Sequence, residues 1–103
     1  MTFNEYQEKA AKTAIYSSKD QTVYPALGLV SEAGEVAGKV KKWMRDGAFD
    51  RAHMAMELGD VLWYIAALCR DLNVDMDDVA EMNLDKLYDR KERGVLKGSG
   101  DNR

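Results

Sequence analysis

The hydrophobic and polar positions of this chain follow a helical period almost throughout. Thr2-x-x-Glu5 has the form of a capping box, and Phe3, Tyr6 and Ala10 lie along one side of the helix that it would open. A single Pro and the absence of alternating Val, Ile and Thr runs leave little room for strands. The pattern therefore predicts an all-α chain.

Turn residues next predict a loop and a second helix. The polar stretch 17–22 has the composition of a loop, and Pro25 fits the first turn of a helix because no backbone N–H is needed there. We expect this helix to run to about Arg45. It should end at Asp46-Gly47, because Gly readily takes the left-handed capping conformation.

Two further helices and an irregular tail complete the expected order. Asp50 can cap a third helix that reaches roughly Leu72. Asp75, with Asp78 three residues later, starts a fourth helix that extends to about Arg93. The tail, residues 94–103, is rich in Gly and polar residues and is expected to be irregular. Short connections favour antiparallel neighbours, so we expect a four-helix bundle in one domain, residues 1–103.

Composition narrows the class of protein. The chain has 15 basic and 18 acidic residues and a net charge of −3, so it lacks the excess of basic residues that nucleic-acid binding normally needs. Its longest apolar run, Val61–Cys69, is far short of the roughly 20 residues of a membrane span. No signal peptide is evident, so we expect a cytoplasmic protein with no membrane partner.

The apolar content of so short a chain also bears on assembly. Hydrophobic residues make up 46% of only 103 residues, and a chain of this length has a marginal core of its own. Part of this material is therefore expected to be buried between subunits. We predict a homodimer or a tetramer built from dimers, in which paired Val61–Cys69 segments supply much of the shared core.

Two pairs of acidic residues are the most informative feature of the sequence. In Glu32-x-x-Glu35 and Glu57-x-x-Asp60 the spacing of three places both acids of a pair on one helix face. The second pair lies in an apolar segment, where an unpaired charge is costly. Antiparallel packing would bring the pairs face to face, and four like charges at such range need cations. The four carboxylates predict a site for Mg²⁺, with Mn²⁺ as a possible substitute, although Lys or Arg side chains could also satisfy Glu57 and Asp60.

Glycines accompany the acidic pairs. Gly34 and Gly59 adjoin them inside predicted helices, where each Gly costs about 1 kcal/mol relative to Ala. We interpret these glycines as places where two helices approach closely and bring the acidic pairs together.

The two acidic pairs resemble the E-x-x-E…E-x-x-D signature of the MazG-like, all-α nucleoside triphosphate pyrophosphohydrolases. The first pair is Glu32-Ala-Gly-Glu35, and after 21 residues it is followed by Glu57-Leu-Gly-Asp60. The similarity covers roughly residues 24–101. It includes four further blocks: Leu27–Val36, Asp60–Tyr64, Asn83–Arg90 and Gly98–Asp101.

The resemblance implies Mg²⁺-dependent hydrolysis of a (deoxy)nucleoside triphosphate to the monophosphate and pyrophosphate, in nucleotide-pool control or house-cleaning. Glu32, Glu35, Glu57 and Asp60 would be the metal ligands and catalytic residues. One of them, with the first pair favoured, would also orient or deprotonate the attacking water. Divalent cations suit this chemistry because they neutralise phosphate oxygens and activate water.

The resemblance also assigns residues to the phosphates. Asn83, Lys86 and Arg90 fall on one face of the fourth helix and would contact the triphosphate, although a solvated polar face would have the same pattern. Tyr64 lies one turn after Asp60 and is either a phosphate ligand or a core tyrosine. Lys39 is a weaker candidate, because Glu–Lys pairs at this spacing are routine helix support.

For the base, Trp43 is the first candidate, because it lies two turns beyond Glu35 and has a flat ring that can stack on a nucleobase. Tyr6 is a second candidate. Trp43 could also be a core or interface residue, and Trp63 is expected in a subunit interface. Two alternative functions stay open: a base-specific enzyme of the dCTPase or dUTPase type, and a non-catalytic helical module that binds nucleotide or regulates a partner.

Overall fold

The computed structural model describes all 103 residues, and its regular structure is helical throughout. The helices are α1 (Phe3–Ala11), α2 (Val23–Asp46), α3 (Arg51–Asp71) and α4 (Met76–Glu92). A short 3-10 turn, Ser18–Asp20, lies within the predicted loop. α3 packs against both α2 and α1, whereas α4 packs chiefly against α1. The all-α prediction is confirmed, and the α2–α3 pair carries the predicted acids.

Local capping residues fix the helix ends where the sequence predicted them. Thr2 Oγ1 accepts a hydrogen bond from the backbone N–H of Glu5 at 3.0 Å, which opens α1. Gly47 closes α2 with φ at 75°, the left-handed conformation that favours glycine. Asp50 Oδ1 accepts from the backbone N–H of His53 at 3.1 Å and opens α3. These three predictions are confirmed.

The start of α4 is capped from another helix. Asp75 stands at the N-cap position, where the sequence predicted the start of this helix, but its side chain makes no capping hydrogen bond. Instead, the side chain of Gln7 on α1 accepts from the backbone N–H of Met76 at 2.8 Å. Asn4, also on α1, accepts from the N–H of Asp77 at 2.9 Å. α1 therefore satisfies the first free N–H groups of α4 and holds that helix in place.

Replacing Gln7 with Ala is expected to lower the free energy of unfolding by about 1–2 kcal/mol. The change removes the cap of Met76 and also the bond that the Gln7 amide donates to the carbonyl of Val74 at 2.9 Å. Urea denaturation measures the loss, with the exposed neighbour Glu8→Ala as control, expected within about 0.5 kcal/mol of wild type. Equal stabilities of the two variants would contradict this account of α4.

One buried carboxylate ties the loop between α1 and α2 to the end of α3. The Asp71 side chain is 1% exposed, and its Oδ2 accepts from the Tyr16 hydroxyl at 2.8 Å and from the backbone N–H of Thr22 at 2.9 Å. Thr22 has φ at 68°, which is uncommon for a β-branched residue. The two bonds to Asp71 hold the chain in this conformation directly before α2 begins.

The core of the chain is small and lies around the second half of α3. Six of 103 residues are buried, and the central cluster is Ala66, Cys69 and Met76. Burial raises the pKa of the Cys69 thiol, which keeps that thiol protonated. The expectation that Val61–Cys69 forms a core between subunits is wrong for Ala66, Ala67 and Cys69, because the chain buries them itself.

Much apolar surface is left uncovered. The accessible surface is 7755 Å², whereas a folded monomer of this mass exposes about 5800 Å². The radius of gyration is 16.3 Å, against about 13 Å for a closely packed chain of this length. None of the helices has both the length and the hydropathy of a membrane span. Exposed apolar side chains on α2, α3 and α4 include Leu27, Val30, Met56, Leu58, Met82, Leu84, Leu87 and Tyr88.

Candidate metal centre

Three carboxylates from two helices converge on one point. Glu32 comes from α2, and Glu57 and Asp60 come from α3, one helical turn apart. One carboxylate oxygen of each lies within 4.8 Å of the others. The spacing of three along α3 places Glu57 and Asp60 on the same face, and the packing of α3 on α2 brings that face to Glu32.

The electrostatics of this cluster favour a cation. Partial burial raises the pKa of Glu32, and the negative charges of Asp60, Glu57 and Glu35 raise it further. No Lys or Arg forms an ion pair with any of these acids. The protein thus provides no counter-charge of its own. A group of oxygen donors at this range fits a hard divalent cation such as Mg²⁺.

The second acidic pair, Glu57 and Asp60, is less buried than the sequence predicted. Glu57 is half-buried and Asp60 is exposed, so the prediction of an apolar enclosure around both is wrong for Asp60. The apolar neighbour Leu58 is itself 53% exposed. The case for a cation therefore depends on the mutual repulsion of the acids rather than on their burial.

Glu35 stands beside the cluster rather than within it. Its charge contributes to the raised pKa of Glu32, but its oxygens are not among those that lie within 4.8 Å of one another. The side chain is exposed on α2, one turn after Glu32. Lys39, one turn further, is half-buried and makes no ion pair. Three of the four predicted acids are thus brought together.

A cleft of about 340 Å³ opens beside the acids. Its lining residues are Glu32, Asp60, Trp63 and Tyr64. Tyr64 thus lies where its hydroxyl could meet a ligand of the acids. The Tyr64 pKa is raised, first by the neighbouring Tyr24 hydroxyl, then by burial and by the charges of Glu32 and Asp60.

Trp63 is the cleft residue that the sequence interpretation assigned elsewhere. Its indole Nε1 donates to the Thr13 hydroxyl at 2.7 Å, and its ring meets Tyr64 edge-on with centroids 5.0 Å apart. These two contacts fix the ring at the wall of the cleft. The signal was present in the spacing, since Trp63 follows Asp60 by three residues and so shares its face.

The close contact between α2 and α3 lies at Gly28, whereas the sequence predicted such contacts at Gly34 and Gly59. A Cβ atom at Gly28 would fall within the ring of Tyr64, whereas a Cβ at Gly34 or Gly59 would meet nothing within 4 Å. The interpretation of Gly34 and Gly59 as contact points is therefore wrong within the chain. The absence of a side chain at Gly28 lets the ring of Tyr64 pack directly against α2, in the lining of the cleft beside Glu32 and Asp60.

The two predicted base-binding residues lie in different places. Tyr6 on α1 is half-buried, and its pKa is raised by burial and by the nearby charge of Asp60. It lines a second cleft, of about 390 Å³, together with Phe3. Trp43 lies near the end of α2, packs against Phe49 with centroids 4.8 Å apart and ring planes tilted by 37°, and does not line the cleft beside the acids.

The predicted phosphate ligands on α4 are not part of this cleft within one chain. Asn83 and Lys86 line a separate cleft of about 290 Å³ with Met82. The Arg90 side chain is 5% exposed and binds Asp101 of the tail. The structure therefore does not bring these three residues to the cleft beside the acids.

Comparison with known proteins assigns the family. The profile of the MazG nucleotide pyrophosphohydrolase domain matches residues 21–95, which include Glu32, Glu35, Glu57 and Asp60. The chain belongs to this family. The MazG assignment confirms the resemblance drawn from the acidic spacing, and it supports nucleotide pyrophosphohydrolase activity as the general class.

This MazG chain is also similar to a phage protein. Gene 37 protein of Mycobacterium phage L5 is 48% identical over 109 aligned positions, which cover 95% of this chain and 96% of that protein. No solved structure gives a significant match.

Proposed function

We propose that the chain hydrolyses (deoxy)nucleoside triphosphates to the monophosphate and pyrophosphate in a Mg²⁺-dependent reaction, in nucleotide-pool control or house-cleaning. The observation that carries the proposal is the meeting of Glu32, Glu57 and Asp60 within 4.8 Å, beside an open cleft, in a chain of the MazG family. A nucleotide that binds with its phosphates at the acids would lie beside Trp63 and Tyr64, the aromatic residues that line this cleft.

In this proposal Glu32, Glu57 and Asp60 hold Mg²⁺, with Mn²⁺ as a substitute, and Glu35 joins them from the adjacent turn. The bound ion would neutralise phosphate charge and activate water. One acid, with the first pair favoured, would hold the attacking water; Glu32 of that pair has a carboxylate oxygen within 4.8 Å of those of Glu57 and Asp60. Tyr64 would place its hydroxyl on a phosphate oxygen from the cleft wall.

The reaction is tested by incubating the purified chain with each ordinary NTP and dNTP and Mg²⁺, and separating the products by ion exchange. We expect monophosphate and pyrophosphate, with Glu57→Gln as the inactive control. Diphosphate with orthophosphate would contradict the assigned bond, and no turnover of any nucleotide would contradict the enzyme and favour a binding module. Turnover of a single base would place the chain with the dCTPase or dUTPase type.

We further propose that the working form is a homodimer or a dimer of dimers. The support is the surplus of about 1900 Å² over the surface of a typical monomer and the exposed apolar side chains on α2, α3 and α4. A second chain that covers them could also bring the predicted phosphate ligands of α4 to the acids, because Asn83 and Lys86 line a different cleft within one chain. Light scattering during gel filtration measures the mass; a stable, active species of 11.6 kDa would contradict the proposal.

A further inference from the structure

The side chain of Trp63 stands between the acidic cleft and the packing of α1 on α3. It lines the cleft beside Glu32 and Asp60. It also borders, with Ala10 of α1 and Ala67 of α3, a gap between the two helices that has no room for a water molecule. The ring is therefore half-buried in the fold, and the cleft is the place where it can meet a ligand.

The polar atom of this ring is already used within the chain. Trp63 Nε1 donates to the Thr13 hydroxyl at 2.7 Å, and that hydroxyl donates its own proton to the carbonyl of Ala10 at 2.7 Å. Because a hydroxyl has one proton, the bond to Ala10 leaves Thr13 Oγ1 as the acceptor that the indole needs. Indole has no second polar atom, so Trp63 can bind a ligand only through the face of its ring.

The other aromatic ring of the cleft is covered by its neighbours. Tyr64 packs directly against α2 at Gly28, and the ring of Tyr24 lies 6.2 Å from it, centroid to centroid. Trp63 meets Tyr64 with the two ring planes at 84°. Trp43 does not line this cleft within one chain. Trp63 is thus the flat ring that remains for a flat ligand.

The spacing along α3 gives this ring a defined place relative to the acids. Trp63 follows Asp60 by three residues, so the Cβ atoms of the two side chains lie about 5–6 Å apart. In a nucleoside triphosphate, one sugar separates the base from the phosphates. A nucleotide that binds with its phosphates at the acids therefore carries its base toward a ring that starts one helical turn away.

We propose that Trp63 is the base-stacking residue of this site, and that Thr13 is the residue that positions its ring. The ligand group is the planar face of a nucleobase, which stacks on aromatic rings whatever its hydrogen-bonding edge. The inference deepens the proposed function, on which it rests for a nucleotide as the ligand. It also gives the end of α1 a part in the site, because Thr13 lies in the turn that follows this helix.

The chain contains two tryptophans, Trp43 and Trp63, which allow a direct test by fluorescence. Trp43→Phe leaves Trp63 as the single indole, and Trp63→Phe leaves Trp43. Each variant is titrated in Mg²⁺ with the α,β-imido analogues of dATP and dCTP, in which nitrogen replaces the bridging oxygen of the bond that the proposed reaction breaks. Inorganic tripolyphosphate is the matched probe, because it has the phosphates and no base.

We expect a nucleotide analogue to quench the emission of Trp43→Phe, because a base stacked on an indole quenches it, and we expect tripolyphosphate to leave it unchanged. Quenching confined to Trp63→Phe would overturn the proposal and assign the base to Trp43. Equal quenching of Trp43→Phe by tripolyphosphate would also overturn it, since the signal would then come from the phosphates.

Calorimetry measures how much the ring contributes to affinity. Trp63→Ala should weaken binding of the analogues by about tenfold or more and leave the affinity for tripolyphosphate unchanged. The unchanged affinity shows that the variant keeps its fold and its acids. Equal affinities of wild type and variant for the analogues would overturn the proposal, as would an equal loss for both kinds of ligand.

Thr13 is tested by a pair of substitutions. Thr13→Val keeps the size and branching of the side chain but removes the acceptor of the indole N–H, so we expect about threefold weaker binding of the analogues and unchanged binding of tripolyphosphate. Thr13→Ser retains the hydroxyl and should restore the wild-type affinity. A Val variant that binds the analogues as wild type does would overturn the positioning role.

None of these measurements involves turnover. A chain that stacks the analogues on Trp63 but hydrolyses no natural nucleotide would contradict only the proposed function. An active chain in which Trp63 does not respond, or which binds neither analogue, would contradict only this inference.

Discussion

Replacing Glu57 with Gln is expected to lower kcat/KM by at least about a thousandfold, which corresponds to about 4 kcal/mol of transition-state stabilisation. Gln keeps the shape of the side chain but carries no negative charge. Because an oxygen of Glu57 lies within 4.8 Å of oxygens of both Glu32 and Asp60, its loss weakens any ion held between them. Steady-state rates of pyrophosphate release, with the exposed α1 variant Glu8→Gln as control, measure the effect.

The stability of the same variant separates loss of the metal site from loss of the fold. Removing one of several crowded negative charges relieves repulsion, so Glu57→Gln should unfold at the same temperature as wild type or above it. Mg²⁺ at about 100 times its dissociation constant should stabilise wild type by about 2.7 kcal/mol and leave the variant unchanged. A variant that melts well below wild type, or retains full activity, would contradict the metal site.

Glu35→Gln decides whether the cluster has three acids or four. We expect a loss of activity here as well, because the exposed side chain of Glu35 can turn toward Glu32 when an ion is present. Full activity in this variant would restrict the ligand set to Glu32, Glu57 and Asp60.

Gly28→Ala is expected to destabilise the chain by about 1–3 kcal/mol, although Ala normally stabilises a helix by about 1 kcal/mol relative to Gly. The new Cβ would overlap the ring of Tyr64, and the ring would have to leave its place against α2. Since Tyr64 lines the cleft beside the acids, KM for the nucleotide should rise as well. Thermal denaturation and steady-state kinetics measure the two effects.

Gly34 provides the matched control on the same helix. A Cβ there meets no atom within 4 Å, so Gly34→Ala should stabilise the chain by about 0.5–1 kcal/mol. A double variant tests the cause directly, because in a Tyr64→Ala background the Gly28→Ala change should no longer be destabilising. Equal effects of the two glycine substitutions in wild type would contradict the proposed contact.

The helix ends show which parts of this fold could be predicted from the sequence. Thr2 and Asp50 bond to N–H groups three residues later, and Gly47 needs only its own backbone freedom, so nearby residues determine all three ends. The start of α4 is capped by Gln7, 69 positions away in the sequence. That pairing depends on the packing of α1 on α4, and no local pattern around Asp75 contains it.

The acidic site also has features that the sequence predicts and features that depend on packing. The spacing within Glu57-x-x-Asp60 follows from helical geometry, and antiparallel packing was enough to expect the meeting with Glu32. The environment of Asp60 could not be predicted, because exposure depends on which apolar neighbours are covered. Near Asp60 the chain leaves Leu58 53% exposed. Likewise, only the packed structure distinguishes Gly28 from Gly34, since both are glycines within α2 and only Gly28 faces the ring of Tyr64.

The core that one chain forms by itself is small, and this has a consequence for how much of the protein is folded at low concentration. With six buried residues in 103, the intramolecular contacts alone give little stability. If a second copy covers the exposed faces of α2, α3 and α4, folding and association become one equilibrium, and the melting temperature rises with protein concentration. The number of chains in a compartment would then set how much of the protein is folded at all, and dilution would switch the site off without any change to its residues.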